Sequence, residues 1–228
     1  MANIFDKTIS LIGSETFNLM QNKNICIVGL GGVGGTTFES LLRSGFSNFV
    51  IVDKDIVDIT NLNRQILYTK NDVGKSKVEV ATLRAKSINE EVKISPLKLD
   101  INTENIKDLD RFSIDFLVDA IDDVDAKIAL YSYCLEKHIP FISSLGMGNR
   151  LDPTKVVISR LDKTEYDPLA KKIRNECRHK NINLKNINVV YSLEIPSSKK
   201  DGVNSMMCVP SAAGLNITNF IISCISKK

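Results

Sequence analysis

Asn24-Ile25-Cys26-Ile27-Val28-Gly29-Leu30-Gly31-Gly32-Val33-Gly34 is the stretch on which the fold turns. It begins as a short apolar run that stops at Gly29; beyond it, Val33, Thr37 and Leu41, with Phe38 and Leu42, recur at helical spacing. A strand, a tight turn and a helix follow from that order. The glycines fit because the backbone there must turn sharply and come close to phosphate oxygens at a helix N-terminus. Residues 49–52 make a second apolar run that Asp53 ends, so the opening of the chain reads as a βαβ unit with a parallel sheet.

The same alternation continues outward. Val78, Ala81, Ala85 and Ile88 mark a helix, 92–97 a strand, and 114–120 a buried strand with Asp119 near its end; Leu130 and Cys134 lie on the next helix, before a strand at 141–143. This predicts an α/β fold, a doubly wound, Rossmann-like, mostly parallel sheet whose ligand crevice lies at the carboxyl ends of the strands, where Gly29, Asp53 and Asp122 map. After Gly148 the pattern loosens into an irregular C-terminal extension, with strands expected at 156–159 and 189–192, a helix at 168–180 opened by Pro168, and a closing helix at 212–225. Residues 197–205, with Lys199, Lys200, Asp201 and Gly202, read as an exposed, mobile loop. The chain divides as one adenylating domain, 1–228, made of an N-terminal helical arm (1–23), a nucleotide-binding core (24–148) and a substrate-side extension (149–228).

With 228 residues, 43% hydrophobic and 25% charged, the composition suits a globular protein and excludes a fibrous or disordered one. Residues 1–23 hold no apolar run behind a basic start, and the apolar stretches elsewhere look strand-sized. Neither a signal peptide nor a membrane span is expected, and a cytoplasmic location follows. The five cysteines, Cys26, Cys134, Cys177, Cys208 and Cys224, include no C-x-x-C pair, which argues against a disulfide framework and a four-cysteine zinc site. Cys26 reads as a core residue, His138 as structural and His179 as surface. Residues 151–228 hold 13 Lys and Arg against 7 Asp and Glu, a charge of +6, while the first 150 hold 17 against 20, or −3. A basic second half suggests a polyanionic partner, although such a charge is also common on solvated surface.

Gly29, Gly31, Gly32 and Gly34 satisfy both G-x-G-x-x-G and the tighter G-x-G-G-x-G, and Asp53, nineteen residues past Gly34, is placed to accept both ribose hydroxyls. These residues point to an adenine nucleotide without separating NAD from ATP. A triphosphate under attack needs cations and a metal, whereas a dinucleotide is held by backbone amides. Arg64 and Lys77 would supply the cations and Asp122 an oxygen ligand for Mg²⁺. Asp122 and Asp123 would equally cap the helix that follows them, and Arg64 alone reads as well as a surface residue.

The order Gly29-x-Gly31-Gly32-x-Gly34, Asp53-x-Asp55, Asn61-x-Asn63-Arg64-Gln65, Gly74-x-x-Lys77 and Asp119-x-x-Asp122 resembles the ubiquitin-activating-enzyme-like adenylyltransferases of the ThiF, MoeB and HesA type. The resemblance implies ATP held across these positions, with Asp53 on ribose, Arg64 and Lys77 on the phosphates and Asp122 on Mg²⁺. It also implies a homodimer in which an N-terminal segment reaches the other subunit's site. That segment would be Phe5-Asp6-Lys7-Thr8 with Leu11-Ile12-Gly13, Lys7 standing where the family often has Arg. The sulfur-carrier-activating branch commonly carries two C-x-x-C pairs. Residues Gly146 to Thr154, Asp162-Lys163-Thr164, Asp167-Pro168-Leu169-Ala170 with Arg174, and Tyr191-Ser192-x-Glu194 instead resemble the tRNA threonylcarbamoyladenosine dehydratase branch.

That branch implies ATP-dependent adenylation of the threonyl carboxylate on the modified adenosine beside the anticodon, then attack by the neighbouring ureido oxygen to close a ring. The nucleophile belongs to the substrate, so the protein is required only to position and to stabilise charge. Cys208 reads as a buried thiol, the alternative being an acyl or sulfur acceptor serving a sulfur-transfer partner protein. Lys171, Arg174 and Arg178 recur at helical spacing as a face able to follow tRNA phosphates, or as a plain solvated face. A tRNA-modifying cyclase ranks ahead of an adenylyltransferase for a ubiquitin-like sulfur carrier. A non-catalytic dinucleotide-binding protein comes third.

Overall fold

In the computed structural model, which describes residues 3–197 and 202–226, the two apolar runs become β1 (Asn24–Val28) and β2 (Asn48–Val52), paired in parallel with Val28 opposite Val52. β3 (Lys93–Leu97) extends the sheet beyond β2, while β4 (Phe116–Asp119) and β5 (Phe141–Ser144) extend it from the other side of β1. β6 (Val156–Arg160) and β7 (Asn188–Ser192) complete a seven-stranded sheet of order β3-β2-β1-β4-β5-β7-β6, parallel except for the β6 edge. The chain reverses its direction of winding between β1 and β4, which opens a crevice above their carboxyl ends.

Period-two alternation places Ile25, Ile27, Phe49 and Ile51 on one face and Cys26, Val28, Val50 and Val52 on the other. The first face is covered by α3 (Gly32–Ser44), α4 (Lys77–Ile88) and α7 (Cys208–Ser226), the second by α5 (Val124–Glu136) and α6 (Pro168–His179). Burial on both sides is why these strands read as unbroken apolar runs. The arm forms α1 (Asp6–Ile12) and α2 (Ser14–Gln21), with Phe5 packed on Phe17 at 5.4 Å between ring centroids.

Three expectations need correction. The closing helix begins at Cys208, a turn earlier than its apolar pattern suggests, because Pro210 sits in the first turn, where its missing N–H is not needed. Nor are the apolar stretches all strand-sized. α7 runs 19 residues with a mean hydropathy of 1.5, long and apolar enough to cross a membrane by length and composition. It lies instead on α3, and Gly214 permits the approach, since a Cβ there would stand 2.8 Å from Val33 O. Cys208 is exposed rather than a core thiol, whereas Cys26 is buried as expected and burial pushes its thiol up to about 12. His179 is exposed, and His138, also exposed, ends α5 in the left-handed conformation at φ 56°.

Of the loop expected at 197–205, residues 198–201, with Lys199, Lys200 and Asp201, lie outside the described residues. Asn204 exchanges hydrogen bonds with Asn149, its N–H donating to Asn149 Oδ1 at 2.8 Å and its carbonyl accepting from Asn149 N at 2.7 Å. Asn63 Nδ2 donates to Ser205 O at 2.9 Å, so this end of the loop is tied down on both sides.

Candidate active site

The glycine turn is built by close contacts that exclude side chains. Gly29, at φ 94°, would place a Cβ 2.7 Å from Ala120 O, and a Cβ on Gly34 would overlap the Gly29 carbonyl. Gly31 caps α3 through its backbone, with no side-chain cap and no acidic residue in the first turn. The first amides of α3 and its positive pole are therefore left without a side-chain cap at the edge of the cleft that Gly31 and Gly32 line, a setting that favours an anion. Tyr68 Oη holds the turn from below by donating to Leu30 O at 3.0 Å. Burial, aided by the charges of Asp53 and Asp55, drives its phenol well above the usual tyrosine range, so it remains a donor.

Asp53 does more than wait for a ribose. Its Oδ2 accepts from Leu30 N at 2.7 Å and its Oδ1 from Asp55 N at 2.8 Å, locking the ends of β1 and β2 together beside the cleft it lines. Asp58 caps the short turn at Ile59–Asn61, and Asn61 answers with Oδ1 on the Asp58 amide at 3.1 Å. This turn carries Arg64, whose Nη1 donates to Thr60 O at 2.9 Å and Asn63 Oδ1 at 3.0 Å, leaving its other N–H groups for a ligand. Gln65 is buried beside the turn, and its Oε1 has no partner among the described residues.

Asp122 and Asp123 separate cleanly. Asp123 caps α5 by accepting from Ala126 N at 2.8 Å, while Asp122 is exposed on the cleft with no such duty. No group of three metal-ligating side chains occurs among the described residues. One carboxylate fits an ion that takes most of its ligands from phosphate oxygens and water, as Mg²⁺ does with nucleotides.

The cleft, about 970 Å³, gathers Gly29, Gly31, Gly32, Asp53, Asp55, Asn61, Asn63, Arg64, Gln65 and Asp122 around one space. Gly34 stands behind the turn. Lys77 is also outside the lining, buried at the start of α4 with Nζ donating to Asp55 Oδ2 at 2.7 Å. The α6 residues lie apart from these, with Lys171 and Arg178 exposed. Arg174 is half-buried, its Nη1 donating to the Thr164 carbonyl at 3.1 Å and to the Thr164 hydroxyl.

Two networks carry structural roles that sequence reasoning missed. Lys127, fully buried, donates to Asp119 Oδ2 at 2.8 Å, Ser143 Oγ at 3.1 Å and Ser144 O at 2.7 Å, and Tyr131 Oη joins at Ser143 Oγ, 2.7 Å away. It ties the end of β4, which leads to Asp122, to the end of β5, which leads to the opposite wall at Leu145 and Gly146. The signal for it was a lone lysine inside Ala126-Lys127-Ile128-Ala129. Arg150, also buried, reaches Glu194 O at 3.0 Å and Asp167 Oδ2 at 3.4 Å and donates to the Gly146 carbonyl, pinning the Gly146 to Gly148 wall.

The family model described as the ThiF family matches residues 5–227. This chain belongs to the ThiF family. Within it, tRNA threonylcarbamoyladenosine dehydratase of Bacillus subtilis strain 168 is 34% identical over 97% of this chain and 94% of that protein. The solved structure of E. coli tRNA N6-threonylcarbamoyladenosine dehydratase, TcdA, in complex with AMP superimposes with a TM-score of 0.93 at 30% identity, covering 98% of this chain and 94% of that one. The same enzyme in complex with ATP gives 0.92 at 30%, covering 98% and 93%. The doubly wound architecture of this ThiF-family chain is thus shared almost end to end.

Proposed function

We propose that the protein uses ATP to adenylate the threonylcarbamoyl carboxylate on the tRNA adenosine beside the anticodon and then closes the ring. A substrate carboxylate oxygen attacks the α-phosphorus and pyrophosphate leaves. The ureido oxygen then attacks the acyl carbon, AMP leaves with that carboxylate oxygen, and the ureido N–H proton is lost, so the substrate sheds one water in total. One observation carries this reading. The cleft gathers the glycine turn, Asp53, Arg64 and Asp122 around a nucleotide-sized space, yet among the described residues no Cys or His lines it, which suits a substrate that brings its own nucleophile.

Gly31, Gly32 and the first amides of α3 receive phosphates, Asp53 the ribose and Arg64 the charge that builds on the α-phosphate. Lys77 adds a second cation by leaving or sharing Asp55. Asp122 holds Mg²⁺, which when bound neutralises phosphate charge. Lys171 and Arg178, with Arg174 between them, follow the tRNA backbone. The chain works as a homodimer: α1 buries none of its residues, and Leu11 is 84% exposed beside Ile4 at 64%, an apolar face that a second copy would cover. Cys208 is the thiol a sulfur-transfer partner would address. Incubating the protein with ATP, Mg²⁺ and threonylcarbamoyl-modified tRNA, then digesting the RNA for mass spectrometry, should show the dehydrated nucleoside with AMP and pyrophosphate. An unchanged nucleoside, with adenylation of a carrier protein's Gly-Gly tail instead, would overturn the reading.

A further inference from the structure

Among the described residues four non-glycines adopt positive φ: His138, Asn149, Tyr166 and Asn181. Two need no special reason, since His138 and Asn181 follow the C-terminal ends of α5 and α6, where a left-handed residue ordinarily ends a helix. Asn149 is of a type that tolerates the conformation. Tyr166 fits neither case. It is a bulky aromatic at φ 55°, it precedes a helix rather than ending one, and such a conformation persists only where its surroundings over-determine it.

Those surroundings are firm on both sides. Thr164, buried, donates through Oγ1 to Leu161 O at 2.9 Å and accepts from Arg174, while Asp167, buried, caps α6 at Ala170 N, 2.9 Å, and accepts from Gly146 N at 3.2 Å. Between these anchors Tyr166 is 61% exposed, with no hydrogen bond or ring contact to any described residue. It is the single aromatic among the large apolar side chains that the described residues expose. The fold thus fixes the backbone that carries this one ring into solvent. Its turn lies on the margin of the cleft, because Gly146 and Leu169, adjoining Asp167 in space and in sequence, both line it. The turn opens α6, which presents the exposed Lys171 and Arg178.

An exposed ring on a fixed turn, at the margin of a reaction cleft and at the start of a basic helix, matches what single-stranded RNA requires, which is a platform for an unstacked base beside a cationic track for the backbone. We propose that Tyr166 stacks on an unpaired anticodon-loop base next to the modified adenosine and so selects tRNA over the free nucleoside. This rests on the function proposed above. Arg174, expected to contact phosphate, is on this reading also the residue that braces the turn presenting Tyr166.

The test compares Tyr166→Phe and Tyr166→Asn with the unaltered protein. Asn removes the ring while tolerating the backbone, as Asn149 and Asn181 show at φ 59° and 56°. With modified tRNA, Tyr166→Asn should lose roughly tenfold in kcat/KM, in line with the usual contribution of base–aromatic stacking. Tyr166→Phe should stay near the unaltered value, the KM for ATP should not move, and turnover of the isolated modified nucleoside should be the same in all three. A fluorescent aminopurine beside the modified adenosine should be quenched on binding by the Tyr and Phe proteins and not by Asn. Equal tRNA turnover by the Asn variant, or equal losses on tRNA and nucleoside, would overturn the stacking role. If the unaltered protein cyclises neither substrate, the proposed function itself fails.

Discussion

Asp53 meets the Leu30 and Asp55 amides with separate oxygens, so removing it leaves the buried Leu30 N–H and the Asp55 N–H without this partner and, on the proposed function, a ribose unheld. Asp53→Ala should therefore raise the ATP requirement and also lower stability by about 1–3 kcal/mol, as paired activity and thermal-melt measurements would show. Melting unchanged beside a raised KM would mean that those two hydrogen bonds are dispensable. Arg64 differs, because its two hydrogen bonds to the turn both use Nη1 while the residue lines the cleft. Arg64→Ala should slow single-turnover ring closure by roughly a hundredfold or more while ATP affinity changes far less. A wild-type rate at saturating ATP would place the developing charge elsewhere. Arg64, Asp53 and Asp122 were legible in the sequence because each sits in a contiguous motif at the end of a strand or turn. Lys127, Arg150 and Tyr166 were not, since their roles come from contacts across the sheet or from a backbone angle that no local pattern encodes.

At the scale of elements, the cleft's two walls are joined by the Lys127–Asp119 pair, fully buried at 0% exposure for both side chains. Lys127→Met would leave the Asp119 carboxylate buried without its cation, a loss of about 3–5 kcal/mol. For a chain of this size that corresponds to roughly 6–20 °C in Tm by calorimetry. A shift within a degree or two would mean that the two strand ends need no such tie. α3 and α4 are joined differently, through Glu39, which accepts from Arg43 Nε at 2.9 Å and from Arg84 Nη2 at 3.0 Å. Burial pushes the Glu39 carboxyl up, but the Arg84 and Arg43 hydrogen bonds and charges outweigh it and hold it below the ordinary glutamate value of 4.5. Its folded value being depressed, its contribution is present above pH 4.5 and fades as the pH falls through the lowered value. Glu39→Gln should thus be less stable than the unaltered chain at neutral pH, the gap narrowing in acid. A gap that widens in acid would contradict the ion-pair origin. The strands and helices were readable from periodicity because burial on both faces imposes it. α7 starts a turn before the expected residue 212, since Pro210 in a first turn breaks nothing.

For the whole molecule, the basic second half, the α6 face and the exposed α1 surface are where the proposed tRNA and second copy would meet this chain. Leu11→Asp should convert the proposed dimer to a monomer in sedimentation, and an unaltered chain that is monomeric at micromolar concentration would remove α1 from the interface. The extension is irregular in its connections, yet β6 and β7 join the parent sheet, so the cleft wall at Gly146 is continuous with the nucleotide core. That continuity is the basis for joining adenylation and ring closure in one space. The most direct test follows the oxygen atoms: modified tRNA carrying heavy oxygen in its threonyl carboxylate, turned over with unlabelled ATP, should yield AMP containing one labelled oxygen for each ring closed. Unlabelled AMP, or ADP with phosphate in its place, would contradict carboxylate adenylation at this site.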